Sequence, residues 1–354
     1  MHILVITPGF PKDEFDTSCI PPMQELLKAL KTNSSDFKIS VISLYYPYKK
    51  NIYNWNDISV FSCGGKNNSK PSKIFTWLLA LYFSIKIIRK NNVNIIHSFW
   101  LTDSALLGSM LSRIFDVKHI STMMGQDAKS ENKFLRRLNL DKIIKISVSN
   151  YQAEIFKKSS NMYQEKIIPW GIKPLYINKI ERQIDVLGVG ALIPIKNYCL
   201  FVKVISKLKN KFPDIKAVLI GDGIQRIELE ELILKYNLKE NLYLAGHLNR
   251  EKVISYMLRS KIFLHTSDYE SFGYVLAEAE ASGCKIVCRS VGCAMGNDNF
   301  FIAEGEDDFC EIISRLLLSK LEFKSLSLFP LEVTVNSYVD VYRKYSNGNE
   351  TSEV

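Results

Sequence analysis

The sequence lacks the commonest signatures of metal and dinucleotide sites. It has no CxxC pair, no D-x-D triplet and only five histidines. Its seven cysteines (Cys19, Cys63, Cys199, Cys284, Cys288, Cys293, Cys310) are odd in number and scattered, and those at 284–293 have no histidine nearby. They read as free or buried thiols of a reducing cytosol rather than as zinc ligands. Gly188-Val189-Gly190-Ala191-Leu192-Ile193 begins like a dinucleotide fingerprint, but its third glycine and the following acidic residue are missing. The most membrane-like run, Ile74 to Ile85, is closed by Lys86, short of the ~20 residues a spanning helix needs. It reads as a buried or interfacial helix. Met1 to Thr7 reads as a strand ended by Pro8, not as a signal peptide.

What is present is ordinary globular composition over 354 residues, 47% hydrophobic and 23% charged, which suits two domains, each with its own core. The net charge of +9 points to an anionic partner: a nucleotide, an anionic membrane surface or nucleic acid. Apolar β-branched runs at His2–Thr7, Ile39–Leu44, Ile58–Phe61, Ile95–His97, Val117–Thr122 and Ile143–Val148 alternate with helical stretches. A second alternating set starts at Asp185 and runs through Ile262–His265 and Lys285–Cys288 to Phe300–Ala303. Such alternation implies right-handed βαβ units and parallel sheets, whose ligands sit at the carboxyl ends of the strands.

One stretch, Ser267 to Gly283, reads as loop then helix between two of these strands. Ser271 is an expected N-cap, the helix starts near Gly273, and Gly283 suits the position just past its end. Glu270 precedes the helix start, where the dipole and unpaired amides attract anions. Glu278 lies about five residues in, roughly 7–8 Å along the axis. A phosphate at the helix start would have one carboxylate on each side, the layout a nucleotide sugar requires. By spacing alone, an amphipathic helix with solvated acids accounts for the same residues.

Glu270, Phe272, Gly273, Val275, Glu278, Ala279, Ala281 and Gly283 also match E-G-F-G-x-V-x-x-E-A-x-A-x-G, with Ser271 in place of a glycine. This resembles the Glu-x7-Glu signature of retaining glycosyltransferases with the GT-B fold, family 4 (glycosyl transferases group 1). Further segments are similar. Gly190 to Asn197 resembles the donor-phosphate run G-R-L-x-x-x-K-G, keeping Lys196 but with Ala191 for the Arg. Leu219 to Gly223 resembles I-V-G-x-G, and Leu244 to His247 resembles the segment lying along the base. In the first half, Ile96-His97-Ser98-Phe99 resembles I-H-x-H, and Thr122-Met123-Met124-Gly125-Gln126-Asp127 resembles T-x-H-G-x-D with Met124 for the His. The loop Asp16 to Cys19 has none of the glycines that relatives place near the donor phosphate.

The resemblance implies two Rossmann-like doubly wound α/β domains facing across a cleft. The expected divisions are 1–173 (acceptor side), a linker at 174–183, 184–330 (nucleotide sugar), a terminal helix at 331–346 crossing back, and a tail at 347–354. It implies Glu270, Lys196 and Asp127 as catalytic residues, Lys196 stabilising the leaving diphosphate. Gly190, Lys196, Asn197, Gly221, Gly223, Gly246, Glu270, Ser271, Phe272, Gly273, Val275 and Glu278 would bind the donor, with Glu278 on the ribose. His97, Gly125 and Asp127 would lie on the acceptor side, although His97 reads as a satisfied structural histidine rather than as an acid or base. No metal or other cofactor is implied, and no nucleic acid. The expected activity is retaining transfer from a nucleotide sugar to a glycan or lipid-linked acceptor, in cell-surface polysaccharide or glycoconjugate synthesis. The expected location is cytoplasmic, peripheral at the inner face of the membrane. The basic stretch 129–145 reads either as a solvated helix face or as the membrane contact. The rival readings are a degenerate, inactive sugar-nucleotide-binding subunit and a GT-B nucleotide-sugar epimerase or phosphorylase.

Overall fold

The computed structural model describes residues 1–33, 36–66, 70–175, 180–326 and 328–346. It divides into two compact units, one reaching to Gly171 and resuming at Leu331, the other Ile172–Pro330. The first unit runs β1 (His2–Gly9), α1 (Pro21–Asn33), β2 (Lys38–Tyr46), β3 (Asn51–Trp55), β4 (Ile58–Ser62), α2 (Lys70–Lys90), β5 (Ile95–Phe99), α3 (Asp103–Phe115), β6 (Lys118–Thr122), β7 (Ile144–Ser147), α4 (Asn150–Ser160) and β8 (Lys166–Ile167). Its sheet has the order β3-β4-β2-β1-β5-β6-β7-β8. All pairings are parallel except β3 with β4.

The continuous apolar character of β1 follows from burial on both faces. Leu4, Ile6, Ile42 and Ile96 meet Leu107 and Leu111 of α3 on one side. Strand β3 was not expected from the sequence, because two asparagines interrupt its five residues and only Trp55 is buried. It forms through a two-residue hairpin turn in which Asn56 and Asp57 both take positive φ (47° and 60°), the turn that matches strand twist.

The second unit runs β9 (Ile184–Val189), α5 (Tyr198–Lys211), β10 (Ala217–Ile220), α6 (Arg226–Lys235), β11 (Leu242–Gly246), α7 (Arg250–Leu258), β12 (Ser260–His265), α8 (Tyr274–Ala281), β13 (Lys285–Cys288), β14 (Phe300–Ile302) and α9 (Glu306–Leu318). Its parallel sheet has the order β11-β10-β9-β12-β13-β14. The winding direction therefore reverses between β9 and β12, the topological switch point where doubly wound sheets bind ligands. The unit starts at Ile172, two residues before the expected boundary. There the Ile172 N–H donates to the Phe329 carbonyl (2.7 Å) and Ile172 bridges to Pro330. Part of the expected linker, 176–179, and the tail 347–354 lie outside the described residues. The last helix, α10 (Leu331–Ser346), belongs to the first unit and buries Tyr338 and Tyr342.

Candidate functional site

The switch point of the second sheet gathers the ionisable residues of the candidate site. Strand β9 leads into a 3₁₀ turn, Pro194–Lys196, closed by Asn197 in the left-handed conformation. Strand β12 leads into the loop that carries Glu270. Backbone and hydroxyl bonds join the two loops: Asp268 N–H donates to the Ile195 carbonyl (2.9 Å), Thr266 Oγ1 to that of Lys196 (2.9 Å), and Ser267 Oγ to that of Ile195 (3.1 Å). Within this frame Lys196 Nζ donates to Glu270 Oε1. His265 Nε2, at the end of β12, donates to the same oxygen (2.9 Å). Burial alone would push the Glu270 carboxyl up, but the hydrogen bond and charge of His265, with the charge of Lys196, hold it down to about 2. The result is a buried carboxylate kept ionised between two nitrogen donors.

Helix α8 opens beside this carboxylate. Gly273, not Ser271, occupies the cap position: its φ of +75° is left-handed and no side chain caps the helix. Ser271 therefore lies outside the cap role expected for it. The helix closes as a Schellman motif, with Cys284 N–H donating to the Ala279 carbonyl (3.0 Å) and Gly283 N–H to that of Glu280 (2.8 Å). Phe272, one of the expected donor residues, is buried edge-on against Phe329 at 5.3 Å, and anchors the loop. Val275 is half-buried in the first turn. Glu278 is buried and paired with Arg250, whose Nε lies 2.7 Å from its Oε1. Arg250 also donates to the Tyr274 hydroxyl (3.2 Å).

The glycines of the donor set hold strand ends together. Gly190 N–H donates to the Ile220 carbonyl and Gly221 N–H to that of Gly246, each at 2.9 Å. A Cβ at Gly221 would fall 1.8 Å from the Gly190 carbonyl oxygen, and one at Gly223 would fall 2.5 Å from that of Leu192. Close approach of backbones therefore requires these residues to be glycine whether or not a ligand is present. Asn197 Nδ2 lies 3.3 Å from Asp268, which also pairs with Arg289 (2.8 Å).

In the first unit the expected acceptor-side residues have structural partners. His97 is fully buried on β5, its ring nitrogens taken up by the hydroxyls of Tyr342 (2.7 Å) and Thr122 (2.9 Å). Burial, then the charge of His119, lowers its pKa to about 3, so it is a neutral core residue and not an acid or base. Asp127 is buried as well, and its carboxylate accepts the backbone N–H groups of Gly125 (2.6 Å), Leu101 (2.8 Å) and Met124 (3.1 Å). Burial pushes its pKa up and these amide bonds oppose that. Asp127 thus ties two strand-end loops together, and Gly125 is part of the same turn. The basic stretch 129–145 is not a helix face. It includes the 3₁₀ turns Lys133–Arg136 and Leu140–Lys142. Lys145 is buried, its Nζ donating to Glu165 (2.8 Å) and to the carbonyls of Leu140 and Ile143 (2.9 Å each).

Sequence reasoning passed over His265, Arg250 and Tyr198. The Tyr198 hydroxyl is buried under Gly190, where an added Cβ would lie 2.5 Å from it, and it bonds to no described residue. A histidine that closes a strand five residues before Glu270 was a usable signal. Arg250 and Tyr198, far from Glu270 in sequence, gave none.

Two parallel-sheet α/β units of this topology define the GT-B class. Over 99% of this chain and 100% of the other, the structure resembles sucrose-phosphate synthase from Thermosynechococcus elongatus (TM-score 0.77, 15% identity). It also resembles Anabaena HepE in complex with UDP over 97% and 100% of the two chains (TM-score 0.71, 14% identity). The family model "Glycosyl transferases group 1" matches residues 176–320, and "Glycosyl transferase 4-like" matches residues 23–157. The chain belongs to this family of GT-B glycosyltransferases. Among curated relatives, the Schizosaccharomyces pombe phosphatidylinositol N-acetylglucosaminyltransferase gpi3 subunit is 29% identical over 164 residues, 45% of this chain and 36% of that protein. A Campylobacter jejuni enzyme, N-acetylgalactosamine-N,N'-diacetylbacillosaminyl-diphospho-undecaprenol 4-alpha-N-acetylgalactosaminyltransferase, is 36% identical over 103 residues, 29% of this chain and 27% of that protein. The matched stretches thus span about a third or less of these relatives' length.

Proposed function

We propose that the chain is a retaining, metal-independent glycosyltransferase that moves a sugar from a nucleotide-sugar donor to a lipid-linked or glycan acceptor. Its setting would be glycoconjugate or cell-surface polysaccharide synthesis at the inner face of a membrane. The observation that carries this reading is the Lys196–Glu270–His265 cluster at the switch point of the second sheet, beside the amino end of α8. The helix end attracts the diphosphate. Glu270, held ionised, accepts hydrogen bonds from sugar hydroxyls, and Glu278, fixed by Arg250, takes the ribose.

In the transfer, the bond from the anomeric carbon to the diphosphate oxygen breaks and the bond to the acceptor oxygen forms on the same face. The acceptor proton passes to the departing phosphate oxygen, so no protein base is needed. Lys196, released from Glu270, stabilises the charge that develops on the leaving group. Both relatives are named for transfer of an N-acetylhexosamine, one to phosphatidylinositol and one to a diphospho-undecaprenol carrier. Nucleotide-activated N-acetylhexosamines and lipid-linked acceptors are therefore the first substrates to try.

The test is a thermal-shift screen of nucleoside diphosphates, followed by transfer of labelled sugar to a lipid extract with the product anomer assigned by NMR. A nucleotide at 100 Kd stabilises by ~2.7 kcal/mol. Stabilisation by one nucleotide and a product with the donor's anomeric configuration are expected. An inverted product would remove the retaining mechanism, and no response to any nucleotide would remove the donor site.

A further inference from the structure

Helix α2 is apolar on two opposite sides. Thr76, Ala80, Phe83, Ser84 and Ile87 face into the first unit. At 100° per residue, the side turned away from them carries Ile74, Phe75, Leu78 and Tyr82, which are 61%, 75%, 58% and 57% exposed. A helix apolar all round is normally buried all round, and adjoining exposed apolar side chains on this scale mark an interaction surface.

The charge around this helix is equally one-sided. Residues 37–102 hold nine lysines and arginines and one acid, Asp57, so this stretch accounts for +8 of the chain's net +9. Lys86 and Arg89 are exposed and continue the outward side of α2 beyond Tyr82, with Lys86 Nζ 6.0 Å from the centre of the Tyr82 ring. At the other end, Lys49, Lys50 and Lys66 are exposed, and the Lys49–Lys50 backbone lies against Gly64, just before α2.

We propose that this face of α2 is a docking surface for an anionic lipid bilayer. Ile74, Phe75, Leu78 and Tyr82 enter the boundary between headgroups and acyl chains, and the lysines and arginines stay with the lipid phosphates. Among the described residues no helix is long and apolar enough to cross a membrane, so α2 lies along the surface. The charge decides against a second copy of the chain, because two faces of this sign repel. Four adjoining aliphatic and aromatic side chains decide against nucleic acid, which offers no apolar phase for Ile74 and Leu78. The surface is independent of the catalytic reading, and it is separate in sequence from the basic stretch 129–145, where Lys133, Arg136, Arg137 and Lys142 are exposed and Lys145 is internal.

The test is flotation of the full chain with vesicles of phosphatidylcholine containing roughly 30% phosphatidylglycerol, compared with phosphatidylcholine alone. Binding is expected only to the anionic vesicles, weakening as salt rises. Phe75→Ser with Leu78→Ser should lower the partition roughly 30-fold or more, and Lys86→Glu with Arg89→Glu about tenfold or more. Ile224→Ser with Ile227→Ser, at positions 81% and 71% exposed in the second unit, should change nothing. Unchanged far-ultraviolet circular dichroism and unchanged thermal unfolding midpoints in all variants show that they are folded. Absence of vesicle binding overturns the proposal, as does binding indifferent to Phe75 and Leu78. So does a surface that, through those residues, holds single-stranded RNA or a second copy of the chain instead of vesicles.

Discussion

Glu270 and Lys196 share one short contact, and changing either separates two roles. Glu270→Gln keeps the shape and removes the charge. We expect kcat/KM to fall roughly 10²–10³-fold, as for loss of a group that acts on developing charge. The same substitution has a signature in stability. The folded carboxyl sits at about 2 against an ordinary 4.5, so its contribution is complete above pH 4.5 and is lost as pH falls toward 2. That contribution is on the order of 3 kcal/mol. The Gln variant should lack this acid limb in denaturant titrations at successive pH values. An unchanged limb would show that His265 and Lys196 do not hold the carboxylate ionised. Arg250→Ala makes the complementary test, because it leaves Glu278 buried without its guanidinium. Its effect should fall on KM for the donor and spare kcat, while an effect on kcat alone would remove Glu278 from the ribose.

At the scale of elements, two glycines next to Glu270 test how the loop is built. A Cβ at Gly273 would meet the tip of Leu276 at 2.9 Å, a side chain that can move, although its φ of +75° also disfavours any other residue. A Cβ at Gly292, at φ +61°, would meet the Phe272 carbonyl oxygen at 2.3 Å, and that backbone is fixed by the Cys293 N–H (2.7 Å). Gly273→Ala should therefore cost about 1–2 kcal/mol and Gly292→Ala distinctly more, by chemical denaturation. The reverse order would mean that the loop after β13 does not clamp Phe272. Strand β12, helix α8 and strand β13 were legible in the sequence, because β-branched runs and Gly283 punctuate them. The start of α8 was legible to within a residue, but the cap was expected at Ser271 rather than Gly273, since a left-handed glycine cap has no side-chain signal. The Arg250–Glu278 pair joins residues distant in sequence, and the amides that fix Asp127 are backbone groups common to every residue. For α2 the sequence showed an apolar run, but composition cannot say which side of a helix meets solvent.

At the scale of the whole molecule, the buried histidines are unevenly shared between the two units. His2, His97 and His119 all lie in the first. Burial leads in lowering each of them, joined for His2 by Lys38 and the amino terminus and for His97 by His119, to about 4, 3 and 3 respectively. His119 is held neutral between the hydroxyls of Ser98 (2.8 Å) and Ser109 (3.2 Å). With folded values below the unfolded 6.5, the folded unit binds fewer protons than its unfolded chain, so its stability is full above pH 6.5 and declines as pH falls toward 3. Three such groups give a slope of up to about 4 kcal/mol per pH unit. Trp55, Trp77, Trp100 and Trp170 are the chain's four tryptophans and all belong to this unit, so intrinsic fluorescence reports on it alone. Acidification should therefore produce a tryptophan transition beginning between pH 6.5 and 4.5. Amide exchange protection in β9 and β12 should persist to lower pH, because the resolved acid limb of the second unit's site, that of Glu270, begins only below 4.5. Replacing His97 and His119 together by Asn should flatten the fluorescence transition while leaving nucleotide affinity unchanged. A tryptophan signal indifferent to pH in this window would mean that these histidines titrate normally. Loss of β9 and β12 protection at the same pH would mean that the two cores unfold as one.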